Sequence, residues 1–74
     1  MKEYNLVELY GSKDSHFYLV DKDFDLDKDN DEMLDVDWEN EPMLIKMFYD
    51  AQPLINYCVD NNIRIGESYW GMIY

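Results

Sequence analysis

The sequence predicts a small α+β domain: an antiparallel β-sheet of about four strands with one helix, or a broken helix, packed on one face. Three observations carry that expectation. Two β-rich runs, YNLVELY (4–10) and SHFYLV (15–20), flank the turn formers GSKD. Apolar and acidic residues then alternate with period two between Asp21 and Glu41. Past Glu41 the apolar residues recur at three- and four-residue intervals, the spacing of one helix face.

Each element follows in order. The first two runs read as a hairpin with a loop of four or five residues. The second strand is expected to continue through residues 16–27, because period two is the signature of a half-buried strand. DKDND (27–31) reads as the next turn and residues 33–39 as a third strand. In this register Phe24, Leu26, Leu34, Val36 and Trp38 face the core. A slip of one residue would bury every acid, so the pattern fixes the register.

Leu44, Phe48, Ala51, Ile55 and Cys58 then mark a helix face. Asn40 is its expected N-cap and Pro42 falls in its first turn. Pro53 lacks an amide proton, so it is expected to kink or split the helix near residues 50–52. Asn61-Asn62 reads as the C-terminal stop. IRIGESYWGMIY (63–74) reads as a closing strand, with Gly66 or Gly71 at a bulge or bend.

The 74 residues suit a single domain, residues 1–74. A chain this short buries only roughly 60% of its unfolded surface, so its stability margin is thin. An apolar content of 47% with 16% aromatics still favours folding over disorder. The one cysteine, Cys58, excludes an intrachain disulfide. Its apolar setting INYCV points to a buried thiol. The opening MKEYNLVELY has no signal-peptide pattern and no run reaches membrane-spanning length, so the expected location is the cytoplasm.

Charge is the distinctive property. Net charge is −11. Residues 21–41 hold eleven acids against two lysines, a net −9, which leaves −2 for the other 53 residues. Such a field repels nucleic acid and anionic membrane and draws in basic partners. On two neighbouring strands, acids two residues apart would stand roughly 6.6 Å from each other, near the contour spacing of phosphates along a nucleic-acid strand. The candidate partner-binding residues are therefore Asp21, Asp23, Asp25 and Asp27 on one strand, Asp29, Asp31 and Glu32 at the turn, and Asp35, Asp37 and Glu39 on the next strand.

In size, composition and charge the chain resembles the small acidic DNA-mimic inhibitors of phages and mobile elements. Anti-CRISPR proteins, anti-restriction proteins and uracil-DNA glycosylase inhibitors belong to that class. These inhibitors share no common fold, so the resemblance carries over only the acids. It implies a protein of a bacterial host's cytoplasm. Its partner would be a basic nucleic-acid-binding protein, such as a CRISPR effector, a restriction or repair enzyme, or a nuclease, with no direct binding of nucleic acid or membrane. An immunity- or antitoxin-like nuclease inhibitor is the alternative. Another is an acidic interaction module anchored by Tyr69, Trp70 and Tyr74.

Other chemistries are weaker. DKDFDLDKDNDE places acids at positions 1, 3, 5, 7, 9 and 12 of an EF-hand-like calcium loop. The sharp-turn glycine of that loop is Leu26 here, Lys28 stands at a usually apolar position, and SHFYLV is a poor entering helix. No metal site and no cofactor is expected. His16 is the only histidine, there is no nucleophile-elbow or glycine-rich phosphate motif, and acids crowded in water make a poor catalytic pocket. Catalysis is not expected.

Overall fold

The computed structural model describes residues 1–73. β1 (Lys2–Tyr10) and β2 (Ser15–Asp21) form the expected hairpin, in register from Tyr4 opposite Asp21 to Tyr10 opposite Ser15. Its loop closes through the Gly11 N–H, which donates to the Asp14 carbonyl at 2.8 Å. A β-carbon at Gly11 would stand 2.7 Å from that same oxygen, which is why glycine occupies the corner.

Beyond β2 the chain departs from the expected long strand. The Phe24 N–H donates to the Asp21 carbonyl (3.0 Å), and the Asp23 N–H donates to Asp21 Oδ1 (2.9 Å). A turn with an aspartate at its first position thus lifts the chain out of the sheet. Residues 33–39 form no strand either. They contribute to α1 (Asn30–Leu34) and to a 3₁₀ turn over Trp38–Asn40. Asp29 caps α1 by accepting the Glu32 N–H at 2.9 Å, and Asp31 and Glu32 lie in its first turn. Acids there complement the helix dipole, and Asp-x-x-Glu is a helix-start pattern that outweighs alternation.

The helix expected from residue 41 also divides. Its first half is β3 (Leu44–Phe48), antiparallel to β2, and its second half is α2 (Ala51–Asp60). Pro53 is the third residue of α2, where a missing N–H forfeits no helical bond. It therefore starts the helix instead of kinking it, with Asp50 and not Asn40 as N-cap. Asn61 is the C-cap and Asn62 has φ of 55°, so the Asn-Asn stop stands as read. β4 (Ile63–Met72) closes the sheet.

Strand order is β3-β2-β1-β4, and β4 runs parallel to β1. The sheet is therefore mixed, not wholly antiparallel. The reason is the α2 connection: β3 runs antiparallel to β2 and so in the direction of β1, and α2 carries the chain back so that β4 enters in that same direction. The α+β class, the four strands and one main helix on a face stand as expected.

The sheet is covered on both sides. Leu6, Phe17, Leu19 and Phe48 meet Leu54 of α2 on one face. Val7, Leu9, Tyr18 and Val20 meet Phe24 and Met33 of the acidic segment on the other. This double burial accounts for the unbroken apolar run of β2, residues 17–20.

Candidate functional site

The acidic segment is a lid over one face of the sheet. Phe24 is buried, and Leu26, Leu34, Val36 and Trp38 pack half-buried on the same cluster. The Trp38 ring stacks on Tyr18 with centroids 4.0 Å apart and on Phe24 at 5.4 Å. Met33, the one residue that breaks the odd-numbered row of acids, is 0% exposed. The expected inward set is thus inward, but it is held there by turns and a short helix. Trp38 Nε1 is buried with no hydrogen-bond partner among the described residues.

The acids point the other way. Asp23, Asp25, Asp27, Asp29, Asp31, Glu32, Asp35, Asp37 and Glu39 are all exposed, while Asp21 and Glu41 are half-buried. Because strand pairing ends at Asp21, these acids do not form two parallel strand rows, and the regular phosphate-like spacing expected of such rows is absent. They line a loop, the outer side of α1 and the 3₁₀ turn.

Their hydrogen bonds divide them into two sets. Asp21 Oδ1 accepts the Asp23 N–H, Asp25 Oδ1 the Asp27 N–H, and Asp29 Oδ1 the Glu32 N–H, each at 2.9 Å. Asp37 accepts from Asn40 Nδ2 (2.9 Å), and Glu41 accepts the Met43 N–H (3.0 Å). Asp21, Asp25, Asp29 and Glu41 thus satisfy backbone amides that a loop without a strand partner would leave open, while Asp37 holds a side chain. Asp23, Asp27, Asp31, Glu32, Asp35 and Glu39 make no side-chain hydrogen bond or ion pair among the described residues. Lys28 Nζ, on a half-buried side chain, lies 3.9 Å from the exposed Asp25, a long ion pair that contributes little.

The segment is fastened at a second point. Asn30 Nδ2 donates to the Met72 carbonyl and Asn30 Oδ1 accepts the Met72 N–H, both at 2.9 Å. At the far end of the same face, Asn5 Nδ2 donates to the Lys22 carbonyl (3.1 Å), and Asn5 Oδ1 accepts the Glu67 N–H (2.9 Å) where β4 shifts register against β1. Two asparagines, one at each end, join the acidic segment to the sheet. Sequence reasoning passed over both, although a lone Asn5 within an apolar strand was the available signal.

No group of three or more His, Cys, Asp or Glu side chains among the described residues stands close enough to hold a metal ion. The EF-hand-like spacing is not folded into a loop whose carboxylates converge; Asp21, Asp25 and Asp29 turn onto backbone amides instead. His16 lies against Tyr18 and Tyr49, its Nδ1 3.2 Å from the Tyr18 hydroxyl. Burial, and secondarily Tyr49, holds the Tyr18 phenol above its ordinary pKa. Cys58 is half-buried rather than enclosed, and burial pushes its thiol up.

Of the aromatic anchors, Trp70 is exposed, Tyr69 packs against the cluster under the acidic segment, and Tyr74 lies outside the described residues. No helix among the described residues is long and apolar enough to cross a membrane. No protein-family model matches this chain, and no curated protein and no solved structure matches it.

Proposed function

We propose that this chain is a nucleic-acid-mimicking inhibitor that occupies the DNA- or RNA-binding cleft of a basic partner protein. The observation that carries the reading is the two-sided acidic segment: its apolar residues are anchored on the sheet while nine acids project into solvent. Carboxylates held by a folded scaffold lose little freedom on docking, unlike those of an acidic tail. A Lys/Arg cleft built to neutralise phosphates gains from them as it gains from a polyanion.

The partner-facing set under this reading is led by Asp23, Asp27, Asp31, Glu32, Asp35 and Glu39, whose carboxylates have no structural duty. Asp21, Asp25, Asp29 and Asp37 add charge while holding the loop. The role is binding without catalysis, in the cytoplasm of a bacterial host. An anti-CRISPR or other anti-defence inhibitor fits, and so does an immunity-like inhibitor of one nuclease. The exposed Trp70 favours, as a second reading, an acidic interaction module.

The test is competition. A purified CRISPR effector, restriction enzyme or repair glycosylase is titrated with the protein at several salt concentrations, with and without its own DNA. Mimicry expects affinity to fall steeply with salt, DNA to displace the protein, and the D27N/D31N/D35N variant to lose binding while remaining folded. A partner held equally well at high salt and in the presence of DNA would transfer the function to the aromatic surface.

A further inference from the structure

The face opposite the acids is incompletely covered. Four strands with neighbours roughly 4.8 Å apart make a sheet wider than one helix of about 10 Å diameter can cover. The uncovered part is a groove of about 610 Å³ beside α2. Leu6, Tyr10 and Ile65 line its sheet side, and Leu54, Ile55 and Val59 line its helix side. Ile55 and Val59 stand four residues apart on α2 and are 51% and 73% exposed. Trp70 is 62% exposed, its ring 5.8 Å from Tyr10. A contiguous apolar surface of this kind on a small soluble domain marks an interaction site.

We infer that this groove docks a cationic amphipathic helix of another protein. Shape points to a helix: Ile55 and Val59 form an i, i+4 ridge along the groove, the surface against which a neighbouring helix packs. A strand added to the free edge of β4 fits less well, because Asn30 already takes both the N–H and the carbonyl of Met72.

Charge selects the occupant. Among the described residues Glu8 is the only charged side chain in the lining, and its Oε1 accepts the Tyr10 hydroxyl at 2.8 Å. A carboxylate has further acceptor positions, and a Lys or Arg beside the partner's apolar stripe would fill one. Fatty-acid carboxylates, anionic lipid surfaces and a second copy at −11 all meet repulsion from the same protein. This groove is separate from the acidic face and does not depend on what that face binds.

The test uses three synthetic 14-residue peptides: a Leu/Lys amphipathic helix, a Leu/Glu helix of the same pattern, and a Gly/Lys peptide without an apolar face. Methyl and indole NMR shifts locate binding on the wild type, on an I55Q/V59Q variant, and on the D27N/D31N/D35N variant. The Leu/Lys helix is expected to shift Leu6, Ile55, Val59 and the Trp70 indole. Binding should persist in the acid-face variant, fall about tenfold in I55Q/V59Q, and be absent for the Leu/Glu helix.

Shifts confined to residues 21–41 and lost in the acid-face variant would overturn the inference. So would equal binding of the Leu/Glu helix, or of the Gly/Lys peptide, at the groove. Groove resonances that move with protein concentration alone would assign the surface to a second copy and overturn it as well. Since the peptide assay needs no nucleic-acid-binding partner, its failure and the failure of the mimicry reading are distinguishable.

Discussion

Gly71 and Asn30 make a sharply testable pair, because one exists to admit the other. Gly71 is buried opposite Leu9 on β4. A β-carbon there would fall 2.8 Å from Tyr69 Cε1 and 3.1 Å from Leu9 Cδ2, and it would overlap Asn30 Oδ1. Asn30 would have to leave, and its two bonds to Met72 would go with it. Each bond contributes about 0.5–1.5 kcal/mol net, and partial exposure favours the lower half, so the pair holds about 1–2 kcal/mol.

G71A and N30A should therefore each cost about 1–2 kcal/mol, or roughly 5–15 °C in Tm for a domain of this size. The double variant should cost less than the sum of the two, since without Asn30 the methyl group has only the Tyr69 and Leu9 contacts left to relieve. Urea unfolding of the four proteins measures the coupling, and amide exchange at Met33 and Met72 reports whether α1 has loosened from β4. Costs that add to within about 0.5 kcal/mol would show that glycine is not there for Asn30, and the fastening argument would fail.

Three further outcomes follow from the same packing. M33A should cost about 2–5 kcal/mol in urea unfolding, because the side chain is 0% exposed and unites α1 with the sheet; a loss under about 1 kcal/mol would mean that α1 is not docked. D29A should cost about 1 kcal/mol through its lost helix cap, while D27A, which removes a carboxylate that bonds nothing, should be neutral or slightly stabilising by relieving repulsion; equal effects would erase the division between the two sets. At alkaline pH, Tyr10 gives a signed prediction: its hydrogen bond to Glu8 first, then burial and the Glu8 charge, hold the phenol above its ordinary value of 10.0 in the folded state. The folded protein thus keeps this proton more tightly than the unfolded chain, so stability is full below that value and falls as pH rises through the higher folded value. Y10F should flatten its share of the fall in urea midpoints, with Tyr18, raised mainly by burial, supplying the rest; a Y10F profile identical to the wild type's would refute the assignment.

What the sequence made legible depended on which physical signal was strong. The hairpin was readable because β1 and β2 combine β-branched and aromatic residues with a glycine-containing turn. The in-and-out sorting of the acidic segment was readable because Phe24, Leu26, Leu34, Val36 and Trp38 leave little choice about which side is buried. The backbone that does the sorting was not, since alternation also fits a loop of aspartate turns, in which Asp21 and Asp25 each accept the amide two residues on. LIKMF was equally ambiguous: five apolar-rich residues satisfy a helix and a strand alike, and β3 is decided by the open edge of β2, a tertiary demand that no local pattern carries.

The acids themselves sharpen as a consequence. In a strand reading every aspartate is equivalent, and −9 on one face is a cost with no local return. In the observed fold four of the eleven acids accept backbone amides in turns or at a helix cap and a fifth, Asp37, holds the Asn40 side chain, so part of the acidic content is explained by architecture without reference to any partner. The residue of the argument for function is therefore smaller and better placed: Asp23, Asp27, Asp31, Glu32, Asp35 and Glu39, exposed and locally idle, on a segment whose other side is core. A domain with a thin stability margin that keeps six mutually repelling carboxylates beyond those its turns require holds a cost that binding to a cationic cleft would repay.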